Sequence, residues 1–332
     1  MKKKMRKKKI YFSENRPILN KIRFLKRKKH INLRSIIFFI LLFISFCCLI
    51  KMIILINKFM KKKNNDMVLK RKSQYMQDNL TLVSAYYQAK SKHSKNDYIK
   101  WMNLTYQLNR SMIIFSSKDF MEKIKELRPQ YLHNKTVFIE LEIEDFYSYK
   151  KYINEFNKTY KLGREKNIHS VLMYVVWAEK CYFLKKAIVN NYFDSTYFFW
   201  IDAGYFRDSK EIGNYINNWP STKKCSEDKR VLLLQIRKID ENEKNLLLNF
   251  NKNTHRQFLF KSNVGAGIFG GHFENLLKFI DLYYEAIEIF ATKNLFLGKE
   301  QDIYTYVALS HPDVVNLILT KSYYYYFKSF LS

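Results

Sequence analysis

Residues 35–56 run through 22 positions with one charge, Lys51, and from residue 80 onward short apolar runs alternate with longer amphipathic ones. As a helix rising about 1.5 Å per residue, the first stretch reaches roughly 33 Å, enough to cross the hydrocarbon core of a bilayer. Lys51 lies near its C-terminal end, where a long side chain can snorkel to the headgroups. A cleaved signal peptide fits poorly, because the apolar run is too long, follows a basic tail of 34 residues and lacks a small-residue cleavage site. The pattern therefore predicts an uncleaved transmembrane signal-anchor.

Residues 57–79 are polar without apolar periodicity and read as a stem. Beyond them, strands are expected at 80–87, 112–116, 136–141, 197–201, 231–236, 258–260 with 267–269, and 314–319, and helices at 98–108, 119–127, 172–189, 273–292 and 301–309. This alternation predicts one α/β domain over 80–332 with a mainly parallel central sheet. The aromatic run 323–327 reads as a terminal strand or packing segment.

Composition adjusts this picture. The net charge of +29 suggests a nucleic-acid binder until it is divided along the chain: +14 falls in residues 1–34, +1 in 35–56, +5 in 57–79 and +9 in the rest. The basic residues thus gather beside the membrane span, where they can meet anionic lipid, and no nucleic-acid partner is expected. Fifteen Lys and Arg precede the span, which favours a cytosolic N-terminus and a type II protein with its C-terminal domain in the lumen of the secretory pathway, in the Golgi. Sequons at Asn79, Asn103, Asn109, Asn134 and Asn157 are compatible with that side. Four cysteines at this length make no disulfide scaffold: a Cys181–Cys225 bridge is conceivable, two inert thiols fit better, and no spacing suggests zinc.

Three segments carry candidate chemistry. Residues 197–207 form an apolar strand that stops at Asp202, with Gly204 two positions on; a carboxylate at the carboxyl end of a strand in an open α/β sheet suits Mg²⁺ or Mn²⁺ on a diphosphate, although it can also cap a turn. Residues 263–272 hold four of the eight glycines, Gly265, Gly267, Gly270 and Gly271, which would permit positive φ and close approach of a sugar or pyrophosphate, or else mark a bulged strand. Their spacing fits neither a dinucleotide fingerprint nor a Walker loop. Residues 298–302, Gly-Lys-Glu-Gln-Asp, open a helix with Glu300 and Asp302 in its first turn, as capping alone would also favour; His311 follows as a candidate metal ligand.

Taken in order, residues 81–87, Tyr98 to Met102, Trp177 to Lys180, Trp200 to Arg207, the Gly265 to Gly271 cluster and Gly298 to Asp302 resemble the WlaTC/HtrL family, regarded as glycosyltransferases. The glycine-rich and Glu-Gln-Asp segments are also similar to those of glycogenin-like transferases. The resemblance covers nearly all of 80–320 and implies a GT-A fold, a nucleotide-sugar donor, a glycan or glycoconjugate acceptor and a divalent metal. Carried over by position, Asp202 stands where an Asp-x-Asp metal motif would, with Gly204 replacing its second acid and His311 a further ligand. Ser84 and Ala85 would meet the nucleoside, with Ala203, Gly204, Arg207, Gly265 and Gly267 also around the donor. Lys180 would approach its phosphates, and Glu300 or Asp302 would orient the acceptor or act as base. The competing expectation is a membrane-tethered glycan- or protein-binding module that retains the fold without catalysis.

Overall fold

The computed structural model describes residues 33–72, 79–217, 219–249, 262–319 and 325–332. Residues Met67–Ser332 form a compact unit distinct from Met1–Asp66. Helix α1, Leu33–Lys72, contains the stretch Ile40–Lys58 with a mean hydropathy of 2.6 and none of it buried, long and apolar enough to cross a membrane. It runs on through residues 57–72 of the expected stem. That segment holds no Gly or Pro to stop it and is rich in Lys, which loses little rotamer freedom in a helix.

The larger unit is built on a seven-stranded sheet: β1 Leu80–Tyr86, β2 Ser111–Ser116, β3 Thr136–Glu140, β4 Tyr197–Ile201, β5 Val231–Gln235, β6 Val264–His272 and β7 Val315–Leu319, in the order β3-β2-β1-β4-β6-β5-β7. β1, β2, β3 and β4 pair in parallel, as do β5 and β7, whereas β6 is antiparallel to both neighbours. The sheet is thus mixed and mostly parallel. Of the expected split strand, 267–269 belongs to β6 and 258–260 lies outside the described residues.

Strand side chains alternate between two buried layers, the period-2 rule for a sheet covered on both faces. Val83, Ile113, Phe115, Phe198, Trp200 and Leu233 face one core, and Leu82, Met112, Ile114, Phe199, Ile201 and Leu234 the other. Cys181 and Cys225 are free and buried in these opposite cores, which removes the bridge as an option.

The helices are α2 Lys95–Thr105, α3 Lys118–Leu127, α4 Tyr147–Thr159, α5 Val171–Asn190, the short α6 Ser209–Ile212, α7 Thr222–Ser226 and α8 Glu241–Leu248, then α9 Phe273–Thr292, α10 Glu300–Ser310 and α11 Tyr325–Phe330. Local chemistry sets several ends. Ser94 and Asp97 form a reciprocal capping box on α2, Ser170 caps α5, and Asn191 ends α5 in the left-handed region at φ 35°. Helix α4 has no such local signal. Its first two backbone N–H groups, at Tyr147 and Ser148, donate instead to the Glu179 carboxylate of α5 at 2.9 and 2.8 Å. Burial drives the Glu179 pKa up to about 7, with those backbone donors pulling back. The aromatic tail is helical from Tyr325 and not a strand.

Candidate functional site

The parallel strands β3-β2-β1-β4 run outward in two directions from the β1/β4 boundary, and a crevice at the carboxyl ends of strands at such a switch point is where open α/β sheets bind ligands. A cleft of about 400 Å³ opens there. Ala85, Tyr86 and Tyr87 from the end of β1 and Asp202 to Tyr205 after β4 form its sides, with Trp177 and Lys180 of α5, Gly267 of β6, and Arg207, Asp208, Glu211 and Lys328 completing it.

At its inner end Lys180, 3 % exposed, has an acceptor for each of its three protons: Asp202 Oδ1 at 2.9 Å, Glu300 Oε1 at 3.0 Å and the Ala266 carbonyl at 3.2 Å. Burial acts to lower its pKa, but the two carboxylates together hold it above the ordinary lysine value, so the ammonium stays charged. The Trp200 indole N–H also donates to Asp202 Oδ1, at 2.7 Å. That leaves Oδ2, on a side chain 42 % exposed, without a hydrogen bond among the described residues. The backbone of Asp202 is tied on both sides, its N–H to Gly267 O at 2.8 Å and its C=O to the Tyr205 N–H at 3.0 Å.

The glycine cluster supports this arrangement differently from expectation. No glycine among the described residues has positive φ. A Cβ on Gly270 would lie 2.1 Å from the Phe198 carbonyl oxygen, one on Gly271 2.6 Å from that of Arg230, and one on Gly265 2.7 Å from Leu234 Cδ2, so these three let β6 fit between β4 and β5. The pairing of β6 with β5 slips between Leu233 and Leu234, from Phe269 to Gly265. Ala266 and Gly267 fall in this bulge; the Ala266 carbonyl accepts from Lys180, while the Gly267 carbonyl accepts from the Asp202 N–H in continuation of the β4/β6 ladder. Only Gly267 of the cluster borders the cleft.

Opposite lies an aromatic shelf. The Arg207 guanidinium sits 4.2 Å from the Trp101 ring centre and donates from Nε to Gly204 O at 3.3 Å, while His93 and Tyr98 meet Trp101 edge-on at 4.8 and 5.5 Å.

The chain belongs to the HtrL_YibB family. Residues 77–332 match its model, described as a bacterial protein of unknown function. No curated protein matches the chain. In this HtrL_YibB member, Ala85, Lys180, Asp202, Ala203, Gly204, Arg207 and Gly267 come together at the cleft. Ser84 is fully buried on the strand face it shares with Leu82, and Gly265 is inside the sheet. Glu300 reaches the site only through Lys180, and Asp302 does not line it. His311 is placed away from Asp202. It follows the C-terminus of α10, about 16 Å along that helix from Glu300, and leads into the start of β7, which pairs with Val231 at the opposite end of the sheet. Among the described residues no group of three His, Cys, Asp or Glu side chains could hold a metal. Sequence reasoning marked the segment holding Tyr98 and Trp101 without giving either a role, and it passed over Glu211 and Lys328, which carry no motif of their own.

Asp302 is buried with Oδ2 lacking a hydrogen-bond partner, and desolvation raises its pKa to about 7, with Lys299 opposing and Glu300 adding to the rise. A carboxyl whose folded pKa exceeds its unfolded value favours the native state in its protonated form, so this contribution is lost as pH rises from about 4 through about 7. Asp302→Asn is expected to stabilise the protein at pH 8, with a ceiling of about 4 kcal/mol at 1.36 kcal/mol per pKa unit, and to make no difference near pH 4. Urea unfolding of both proteins across that range measures it; equal stability at pH 8 would place a partner on the carboxylate.

Proposed function

We propose that the chain is a membrane-tethered glycosyltransferase that moves a sugar from a nucleotide-sugar donor to a hydroxyl of a glycan or glycoconjugate, on a GT-A-like fold. The observation that carries this reading is Asp202, anchored by Lys180 and Trp200 in a cleft at the β1/β4 switch point, with Arg207 beyond the turn that contains Gly204. Charge separation is the difficulty of glycosyl transfer. The bond from the anomeric carbon to the diphosphate oxygen breaks while the acceptor oxygen bonds to that carbon, and the diphosphate leaves with the electron pair.

Asp202 Oδ2 suits a Mg²⁺ or Mn²⁺ that arrives on the diphosphate and keeps its waters, since such ions are held by one or two carboxylates together with substrate phosphates. The ion would neutralise charge on the leaving group. Lys180 has no proton left to give a phosphate, and acts by holding and orienting Asp202. Arg207, stacked on Trp101, supplies a guanidinium to the same wall, and the ring of Tyr98 in the cleft suits a base or sugar. Asp208, exposed at the cleft, is better placed than Glu300 or Asp302 to accept the acceptor's proton.

Helix α1 provides the tether, and the charge asymmetry around it favours a non-cytosolic catalytic unit. The bacterial description of the family offers no support for a Golgi location. The test is a panel of nucleotide sugars offered to the full-length protein in detergent, with and without Mn²⁺. Release of nucleoside diphosphate from one donor class is expected. Neither binding nor release with any donor would favour the non-catalytic module.

A further inference from the structure

Lys328 is buried in the wall of the same cleft, with 4 % of its side chain exposed, although it comes from the C-terminal helix α11. Its backbone is firmly placed. The Trp219 indole N–H donates to the Lys328 carbonyl at 2.9 Å, the Ser221 N–H donates to Leu331 O at 2.8 Å, and Leu331 is fully buried in the core. The ammonium meets one acid, Glu211, with Nζ 2.6 Å from Oε1, and its other recorded neighbours are the rings of Tyr205 and Phe206 at 5.1 and 4.7 Å. This is the opposite of Lys180, whose three protons all have oxygen acceptors. Taking an ammonium out of water is costly unless its hydrogen bonds are replaced. Burial accordingly pulls the pKa of Lys328 below the ordinary lysine value, with Glu211 and, more weakly, Asp208 opposing and Arg207 adding to the fall. Lys328 and Arg207 thus both line one concave surface that an anion could bridge.

We propose that Lys328 is a second anion-binding residue of the cleft, that with Arg207 it takes the diphosphate of the donor, and that Glu211 is its counter-ion until the diphosphate displaces it. The assignment rests on the donor reading above and adds the C-terminal segment to the site. A purely structural role, with the Lys328–Glu211 pair only pinning the chain end, makes different predictions.

Inorganic pyrophosphate separates the two, because it needs no knowledge of the base or sugar. In calorimetric titrations of the full-length protein in detergent at fixed ionic strength, Lys328→Met, which keeps the length of the stem, should bind pyrophosphate roughly tenfold more weakly, the loss of one charge-assisted contact. Glu211→Gln should bind it several-fold more tightly, because the ammonium is then released at no cost. Thermal unfolding of each variant shows whether it is folded. Wild-type affinity in a folded Lys328→Met protein overturns the proposal. So does unchanged or weaker binding by Glu211→Gln, which serves also if Lys328→Met does not fold. Absence of binding of pyrophosphate and of nucleoside diphosphates by the wild type would overturn the donor reading as well, whereas wild-type binding with unaffected variants would remove Lys328 alone.

Discussion

Lys180→Met should reduce donor turnover by roughly 100-fold or more and cost about 3–5 kcal/mol of stability, as breaking one side of a buried ion pair does. The ammonium satisfies Asp202 Oδ1, Glu300 Oε1 and the Ala266 carbonyl at once. Methionine fills a similar volume but leaves Glu300, with 7 % of its side chain exposed, as a buried carboxylate without a counter-ion. The double variant Lys180→Met/Glu300→Gln separates the two losses. Removing the orphaned charge should recover most of the stability, while turnover stays low because Asp202 still lacks the group that holds it. Urea unfolding and donor hydrolysis on the same preparations give both numbers. A single variant that turns over at the wild-type rate would make the triad a structural lock and nothing more.

How much of this was legible in the sequence depended on whether the cause was local. Continuous apolar runs marked β1, β2, β4 and β5 because those strands are buried on both faces, and the acid at Asp202 marked the mouth of the cleft because β4 ends there, although Ala203, Tyr205 and Phe206 just beyond it are buried again. Helix α4 was missed because the group that caps it, Glu179, lies on another helix, and because its buried positions include Ser148 and Thr159 beside Tyr152 and Phe156. The glycines of β6 were noticed for the right reason, a backbone demand, but the demand is contact with the carbonyls of Phe198 and Arg230, which no local pattern reports. His311 was paired with Asp202 on chemistry alone; its place depends on α10 and β7 carrying it to the other end of the sheet. Lys328 gave no signal, since an aromatic tail carries no periodicity that would reveal where it docks.

Asp202→Asn should leave the fold intact and lower turnover by roughly 100-fold or more, the scale of removing a main electrostatic contributor. The amide oxygen can still accept from Lys180 and Trp200, so the inner end of the cleft keeps its contacts. What changes is the second atom: Oδ2 becomes an N–H donor, which repels a cation and cannot help bind one. Because a single protein carboxylate contributes, metal and diphosphate should each tighten the other's binding in the wild type, and by linkage the same factor must appear in both titrations. Calorimetry with Mn²⁺ in the presence and absence of pyrophosphate should show that coupling in the wild type and none in the variant. A carboxylate added by Gly204→Asp is not a simple repair. No glycine there has positive φ, so the backbone would tolerate it, but the new Cβ would lie 3.1 Å from Trp101 Cε3 and press on the ring that carries Arg207. Any gain in metal affinity would then come with a displaced guanidinium. Wild-type turnover by Asp202→Asn, unchanged by Mn²⁺ or by excess chelator, would remove Asp202 from the chemistry and leave Arg207 to carry the leaving group.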